Sequence, residues 1–127
     1  MRMVSIVDDD SSVRESLRMV LERHGLRVRC YANAQIFLGQ RNLQECGCVL
    51  VDQLMPGMNG VSLLETMRDR GMLTPAIFVT GDSDPLLPGR ARKAGALAVL
   101  HKPVVNAELL GWIELALARS APREGHT

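Results

Sequence analysis

Residues 48–60 read Cys48-Val49-Leu50-Val51-Asp52-Gln53-Leu54-Met55-Pro56-Gly57-Met58-Asn59-Gly60. The first four side chains form an unbroken apolar run. It is too short for a helix and lacks the alternation of a strand with one wet face. Such a run reads as a β-strand buried on both faces, the habit of parallel sheets covered by helices. It stops at Asp52, and Pro56-Gly57 turn the chain. A helix is expected over 60–70, with Leu63, Leu64 and Met67 facing inward and Gly71 ending it. These residues therefore make one strand–loop–helix unit.

The same unit recurs on both sides. Upstream, residues 3–7 are a short β-branched strand. Ser11 and Ser12 offer N-caps, and Ser12 with Glu15 has capping-box spacing. Val13, Leu17, Val20, Leu21 and His24 keep a 3.6-residue period, which predicts a helix over 12–24 ended by Gly25. Residues 26–30 read as a weaker strand in which Arg27 and Arg29 alternate, as at a sheet edge. Residues 33–40 read as a short helix built on Ile36, Phe37 and Leu38. Downstream, 76–79 and 97–100 are apolar strands. Asn106 is placed to cap a last helix with one apolar stripe, Leu109, Leu110, Ile113, Ala116 and Leu117.

The fourth helix is the irregular one. It should lie within 83–94, yet that stretch holds Pro85, Pro88 and Gly89. A proline past the first turn costs about 3 kcal/mol, so the helix is expected to start late, near Arg90, or to be irregular before it. The strand–helix alternation implies an α/β fold, a doubly wound five-stranded parallel sheet with five helices. One domain is expected over 1–118, with 119–127 a tail or the start of a linker.

With 127 residues and 46% apolar content, the chain can build one real core. The net charge of +1 is far from the strongly basic balance of a dedicated nucleic-acid surface. No run reaches the roughly 18 apolar residues of a membrane helix, and the start is too short for a signal peptide, so a cytoplasmic protein without membrane contact is expected. Cys30, Cys46 and Cys48 read as reduced thiols. Cys46-Gly47-Cys48 has no second pair to complete a metal site, and Cys48 opens a buried strand.

Chemistry gathers at the strand ends. In open parallel sheets ligands bind beyond the carboxyl ends of the strands, at the point where strand order reverses. Asp8-Asp9-Asp10 follows the first strand, Asp52 the third, Thr80 of Phe78-Val79-Thr80-Gly81-Asp82 closes the fourth, and Lys102-Pro103 follows the last. Asp8, Asp9 and Asp52, with the backbone carbonyl of Leu54, would suit Mg²⁺, or Mn²⁺ in its place, which takes oxygen ligands and keeps several waters. Asp52 would be the nucleophile, since a carboxylate forms an acyl phosphate directly. Lys102 offers a compact positive charge and Thr80 a hydroxyl donor for phosphoryl oxygens. Taken singly, each piece has a plain reading: a solvated acidic turn, a turn aspartate, a strand-end threonine, a surface lysine. Four together, each at a strand end and in this order, point instead to one phosphoryl-transfer site.

These motifs resemble the receiver domain of two-component response regulators, a CheY-like, flavodoxin-like fold with strand order 2-1-3-4-5. The likeness runs from residue 1 to about 118. It covers Val7-Asp8-Asp9-Asp10, residues 51–60, Val79-Thr80-Gly81, Lys93-Ala94-Gly95-Ala96 and His101-Lys102-Pro103. It is nearest to receivers of LuxR-type, FixJ-like regulators. The resemblance implies that a histidine kinase donates the phosphoryl group, that Asp52 receives it, and that Thr80 moves toward it. It also implies a cis peptide at Lys102-Pro103. A surface of helix 4, strand 5 and helix 5 would serve a partner or a phosphorylation-dependent homodimer. A helix-turn-helix part that binds DNA would follow in a longer transcriptional regulator. The domain would be a phospho-acceptor, catalysing only its own phosphorylation and slow dephosphorylation.

The chain also departs from the family. Val99 stands where the last strand usually carries an aromatic switch residue. Leu54 and Asp82, each two residues beyond a site residue, occupy positions that tune phosphoryl lifetime. On the last helix Trp112 lies at the margin of the core stripe, while Gly111, Leu115 and Ala118 project away from it, so Trp112 and Leu115 are the candidate interface residues. Two other classes fit less well. A haloacid-dehalogenase-like phosphohydrolase needs Asp-x-Asp, and Asp52-Gln53-Leu54 lacks the second acid. A flavodoxin-like flavin carrier needs a phosphate loop after the first strand, where three aspartates would repel the flavin phosphate.

Overall fold

The computed structural model describes residues 3–120. The order is β1 (Met3–Val7), α1 (Ser11–Arg23), β2 (Arg27–Tyr31), α2 (Ala34–Leu38), a 3-10 turn (Leu43–Glu45), β3 (Cys48–Val51), α3 (Gly60–Asp69), β4 (Ala76–Thr80), α4 (Leu87–Lys93), β5 (Ala98–His101) and α5 (Asn106–Ser120). The five strands lie β2-β1-β3-β4-β5, every neighbouring pair parallel. The doubly wound sheet and its expected order are therefore present.

Side chains alternate between the two faces, and each face has its own core. Val7, Val49, Val51 and Phe78 pack with Phe37, Leu64, Met67 and Leu87 from α2, α3 and α4. Val4, Ile6, Leu50 and Ile77 pack with Leu17 and Leu21 of α1 and Leu109, Ile113 and Ala116 of α5. The alternation explains why Cys48–Val51 carries no polar residue: all four side chains are buried under helices.

Local chemistry moved several boundaries. Helix α1 begins at Ser11, and its cap is Asp10, whose carboxylate accepts the Ser12 N–H at 2.8 Å and the Val13 N–H at 3.3 Å. The expected Ser12–Glu15 capping box is thus replaced; an aspartate already positioned by β1 satisfies the orphan N–H groups first. His24 is exposed rather than part of the buried stripe, and its Nδ1 lies 2.9 Å from the carbonyl of Val20. Helix α2 is shorter than expected, capped by Asn33, and turns Ile36 outward while Phe37 is fully buried. Strands β2 and β5 sit one residue later than read, and β4 extends to Thr80.

Helix α4 starts at Leu87, earlier than the expected Arg90. Pro88 falls in its first turn, where the missing N–H has no intrahelical partner to lose. Pro85 stays outside, and the Asp84 carboxylate accepts the Leu86 N–H at 3.0 Å. Helix α5 runs through Ser120, two residues past the expected domain end; the expected tail beyond it lies outside the described residues. Among the described residues, no helix is long and apolar enough to cross a membrane.

Candidate functional site

Register brings the carboxylates together. Val7 pairs with Val51, and the Asp52 N–H donates to the Val7 carbonyl at 3.1 Å. Asp8 and Asp52 consequently leave adjacent strands side by side at the carboxyl edge, where β1 meets β3 and the strand order reverses. On the other side Thr80 pairs with His101, and the Lys102 N–H donates to the Thr80 carbonyl at 2.8 Å. All four expected pieces therefore stand at one edge of the sheet.

The Lys102 ammonium donates to Asp8 Oδ2 and to Asp52 Oδ2, at 2.9 Å each. Asp8 Oδ1 accepts the Asp10 N–H at 2.9 Å, and Asp52 Oδ1 accepts the Leu54 N–H at 3.1 Å. Asp8 and Asp52 are both buried, while Asp9 is exposed. One carboxylate oxygen from each of Asp8, Asp9 and Asp52 lies within 4.8 Å of the others. Three carboxylates against one ammonium leave two negative charges uncompensated in this set. Hard oxygen donors with that surplus fit a divalent cation such as Mg²⁺.

Burial pushes the Asp8 carboxyl above its ordinary value, against the opposing pull of the Asp10 N–H and of Lys102. For Lys102, burial disfavours the charge, but the bonds to Asp52 and Asp8 outweigh it and raise the ammonium's pKa. The two shifts agree on a partly dehydrated site whose cation is locked in its charged form.

Thr80 is fully buried, and its Oγ accepts the Asp82 N–H at 3.0 Å. Among the described residues no hydrogen bond joins its hydroxyl to the side chains of Asp8, Asp52 or Lys102. Leu54 enters the site through its N–H, with its side chain 55% exposed. The Lys102-Pro103 peptide is cis. Val99 is half-buried against the α2–α4 side, in register with Phe78 and two residues short of Thr80 on the same face. Trp112 is half-buried at the edge of the other core, and Leu115 is exposed, as the helical stripe required.

Three supporting residues were not read from the sequence. Gln53 is buried, and its Oε1 accepts the Val61 N–H at 2.8 Å while its carbonyl accepts the Gly60 N–H at 3.3 Å. It ties the loop after Asp52 to the start of α3. Arg14 Nη1 donates to the Asp8 carbonyl at 2.7 Å, holding the acidic turn against α1. Gly60 has no room for a side chain, because a Cβ there would meet the Asp52 backbone. The signals were faint: a polar residue directly after a buried strand, and an arginine one turn past the acids. The cysteine pair takes no part. Burial pushes both thiols up, Cys46 Sγ donates to the Cys48 carbonyl at 3.1 Å, and neither is poised as a thiolate ligand.

Comparison with known proteins gives a consistent answer. The family model described as "Response regulator receiver domain" matches residues 4–114. The response regulator protein TodT of Pseudomonas putida is 37% identical over 121 residues, covering 95% of this chain and 53% of that protein. The transcriptional regulatory protein FixJ of Azorhizobium caulinodans is 38% identical over 118 residues, covering 93% of this chain and 56% of that protein. The solved structure of response regulator StyR superposes with a TM-score of 0.88 at 39% identity, over 94% of this chain and 60% of that one. The chain thus spans about half the length of the curated relatives it matches.

Proposed function

This chain belongs to the response regulator receiver family, a family of signalling domains, and on that premise we propose that Asp52 is its phospho-acceptor. A partner histidine kinase supplies the group. The N–P bond of a phosphohistidine breaks, an O–P bond to the Asp52 carboxylate forms, and the leaving imidazole nitrogen takes a proton from water to give neutral histidine. The observation that carries this reading is the pair of hydrogen bonds that the Lys102 ammonium donates to Asp8 and Asp52, at 2.9 Å each, beside the three-carboxylate cluster.

Each residue has a role in the proposal. Asp8, Asp9, Asp52 and the Leu54 carbonyl hold Mg²⁺, or Mn²⁺ in its place. When bound, the cation offsets carboxylate repulsion and neutralises charge on the phosphoryl oxygens. Lys102 passes from the carboxylates to a phosphoryl oxygen, a charge placed where charge develops. Thr80 gives up the Asp82 N–H and donates its hydroxyl to another oxygen. The surface of α4, β5 and α5, with Val99, Pro103, Trp112 and Leu115, transmits the change to a partner or a second copy. The receiver covers the expected 1–118 together with the last turn of α5, which runs on to Ser120. The relatives are about twice as long, and FixJ is named a transcriptional regulator, which supports a following DNA-binding part in this protein as well.

Incubation with acetyl phosphate and Mg²⁺, followed by intact-mass measurement, tests the reading. One base-labile phosphate per chain is expected, absent from Asp52→Ala and absent without the cation. Repeated turnover without an adduct would point instead to a phosphohydrolase, and no modification at all would overturn the proposal.

A further inference from the structure

At the amino edge of the sheet, remote from Asp52, a cleft of about 650 Å³ opens among α3, α4 and α5. Arg68 of α3, Arg92 of α4 and Arg119 of α5 line it, together with Thr74 and Ser120, and among the described residues no aspartate or glutamate does. The carboxyl edge differs in kind, carrying Asp8, Asp9, Asp52, Asp82 and Asp84 around Lys102 and Arg14.

The cleft is built rather than incidental. Arg68 Nη1 donates to the carbonyls of Met72 at 2.7 Å and Thr74 at 2.9 Å, and Nη2 to that of Gly95 at 3.3 Å. Neutral carbonyls fix the guanidinium in place but leave its charge uncompensated, and burial alone pulls its pKa below the ordinary value. A Cβ on Gly95, at φ +106°, would stand 2.8 Å from Arg68 Nε, so the glycine makes the clamp fit. Arg92 and Arg119 are exposed and form no ion pair among the described residues. Three arginines from three helices line one concavity with no acidic side chain beside them among the described lining residues. Arginine matches phosphate oxygens in paired hydrogen bonds, and the volume is that of a small-molecule site.

We propose that this cleft binds a small anion carrying at least two phosphate groups, of nucleotide size or below. Such a ligand bridges Arg92 and Arg119 and ties α4 to α5, the helices flanking β5. Its binding is therefore linked to any rearrangement of that surface, and linkage makes the effect reciprocal.

The test uses the full 127-residue chain in EDTA, titrated with inorganic pyrophosphate while backbone amide NMR shifts are followed. Saturable shifts at Thr74, Gly95 and Ala96 are expected. The double variant Arg92→Gln/Arg119→Gln, whose changes are on exposed side chains, should weaken binding about tenfold or more, whereas Arg23→Gln on the exposed end of α1 should leave it unchanged. Orthophosphate should bind more weakly than pyrophosphate. Absence of saturation in the millimolar range, equal weakening by Arg23→Gln, or equal affinity for orthophosphate would each overturn the proposal. The double variant should still take one phosphate from acetyl phosphate, which separates this outcome from any failure at Asp52.

Discussion

A side-chain carbon on Gly60 would stand 2.7 Å from the backbone oxygen of Asp52 and 2.8 Å from Phe78 Cε2. Glycine at the first turn of α3 therefore lets that helix lie directly against the backbone of Asp52. Neither neighbour can swing aside, because one is main chain and the other is a fully buried ring. Gly60→Ala should cost about 1–3 kcal/mol of stability and slow adduct formation at Asp52. Urea unfolding and acetyl-phosphate labelling measure the two effects; a variant unchanged in both would show that the loop yields freely.

Among the described residues, Lys102 is the only cation paired with the carboxylates of Asp8 and Asp52. Lys102→Met removes a positive charge that competes with a bound divalent ion but helps the phosphoryl oxygens. Mg²⁺ should bind several-fold more tightly by calorimetry, while the labelling rate falls about a hundredfold. Weaker Mg²⁺ binding would contradict this division of roles.

The raised Asp8 pKa has a consequence for stability without metal. Between the ordinary value of 3.8 and the raised one, the folded state holds the proton more tightly than the unfolded state, so stability falls as pH rises through that window. At neutral pH the folded protein bears the cost of an ionised, buried Asp8. In EDTA at pH 7, Asp8→Asn should melt higher, at about 4 °C per kcal/mol relieved, and the gap should close as pH approaches 3.8. Added Mg²⁺ should stabilise the parent and not the variant. A variant less stable at every pH would mean that the Lys102 bond outweighs the burial cost.

Val99 is half-buried where the last strand of the family usually holds an aromatic ring, and it faces the side of α4. Val99→Tyr should alter partner binding more than labelling of Asp52; equal loss of both would count against this position as the switch. Leu115 is 42% exposed on α5, so Leu115→Asp should leave the fold intact and weaken self-association of the phosphorylated form. Unchanged sedimentation of that form would remove Leu115 from the interface.

Some of this was legible early. The apolar run 48–51 had to be a doubly covered strand because it offered no polar face, and the alternation around it left few topologies. Where local rules competed, reading failed. Asp10 displaced Ser12 as the α1 cap, and Pro88 slid into a first turn where it does no harm. Both outcomes depend on which residue the preceding strand delivers to the right place, and short-range propensity does not contain that.

The sequence by itself determined the element types, the parallel sheet and the four chemical groups at the strand ends, because hydrophobic period and residue chemistry are written locally. Only the tertiary structure decided that one ammonium reaches both Asp8 and Asp52, that Gln53 and Gly60 brace the loop after Asp52, and that three arginines far apart in sequence share one cleft. Those are relations between segments that meet only after the sheet has aligned them, and strand register, not composition, sets their distances.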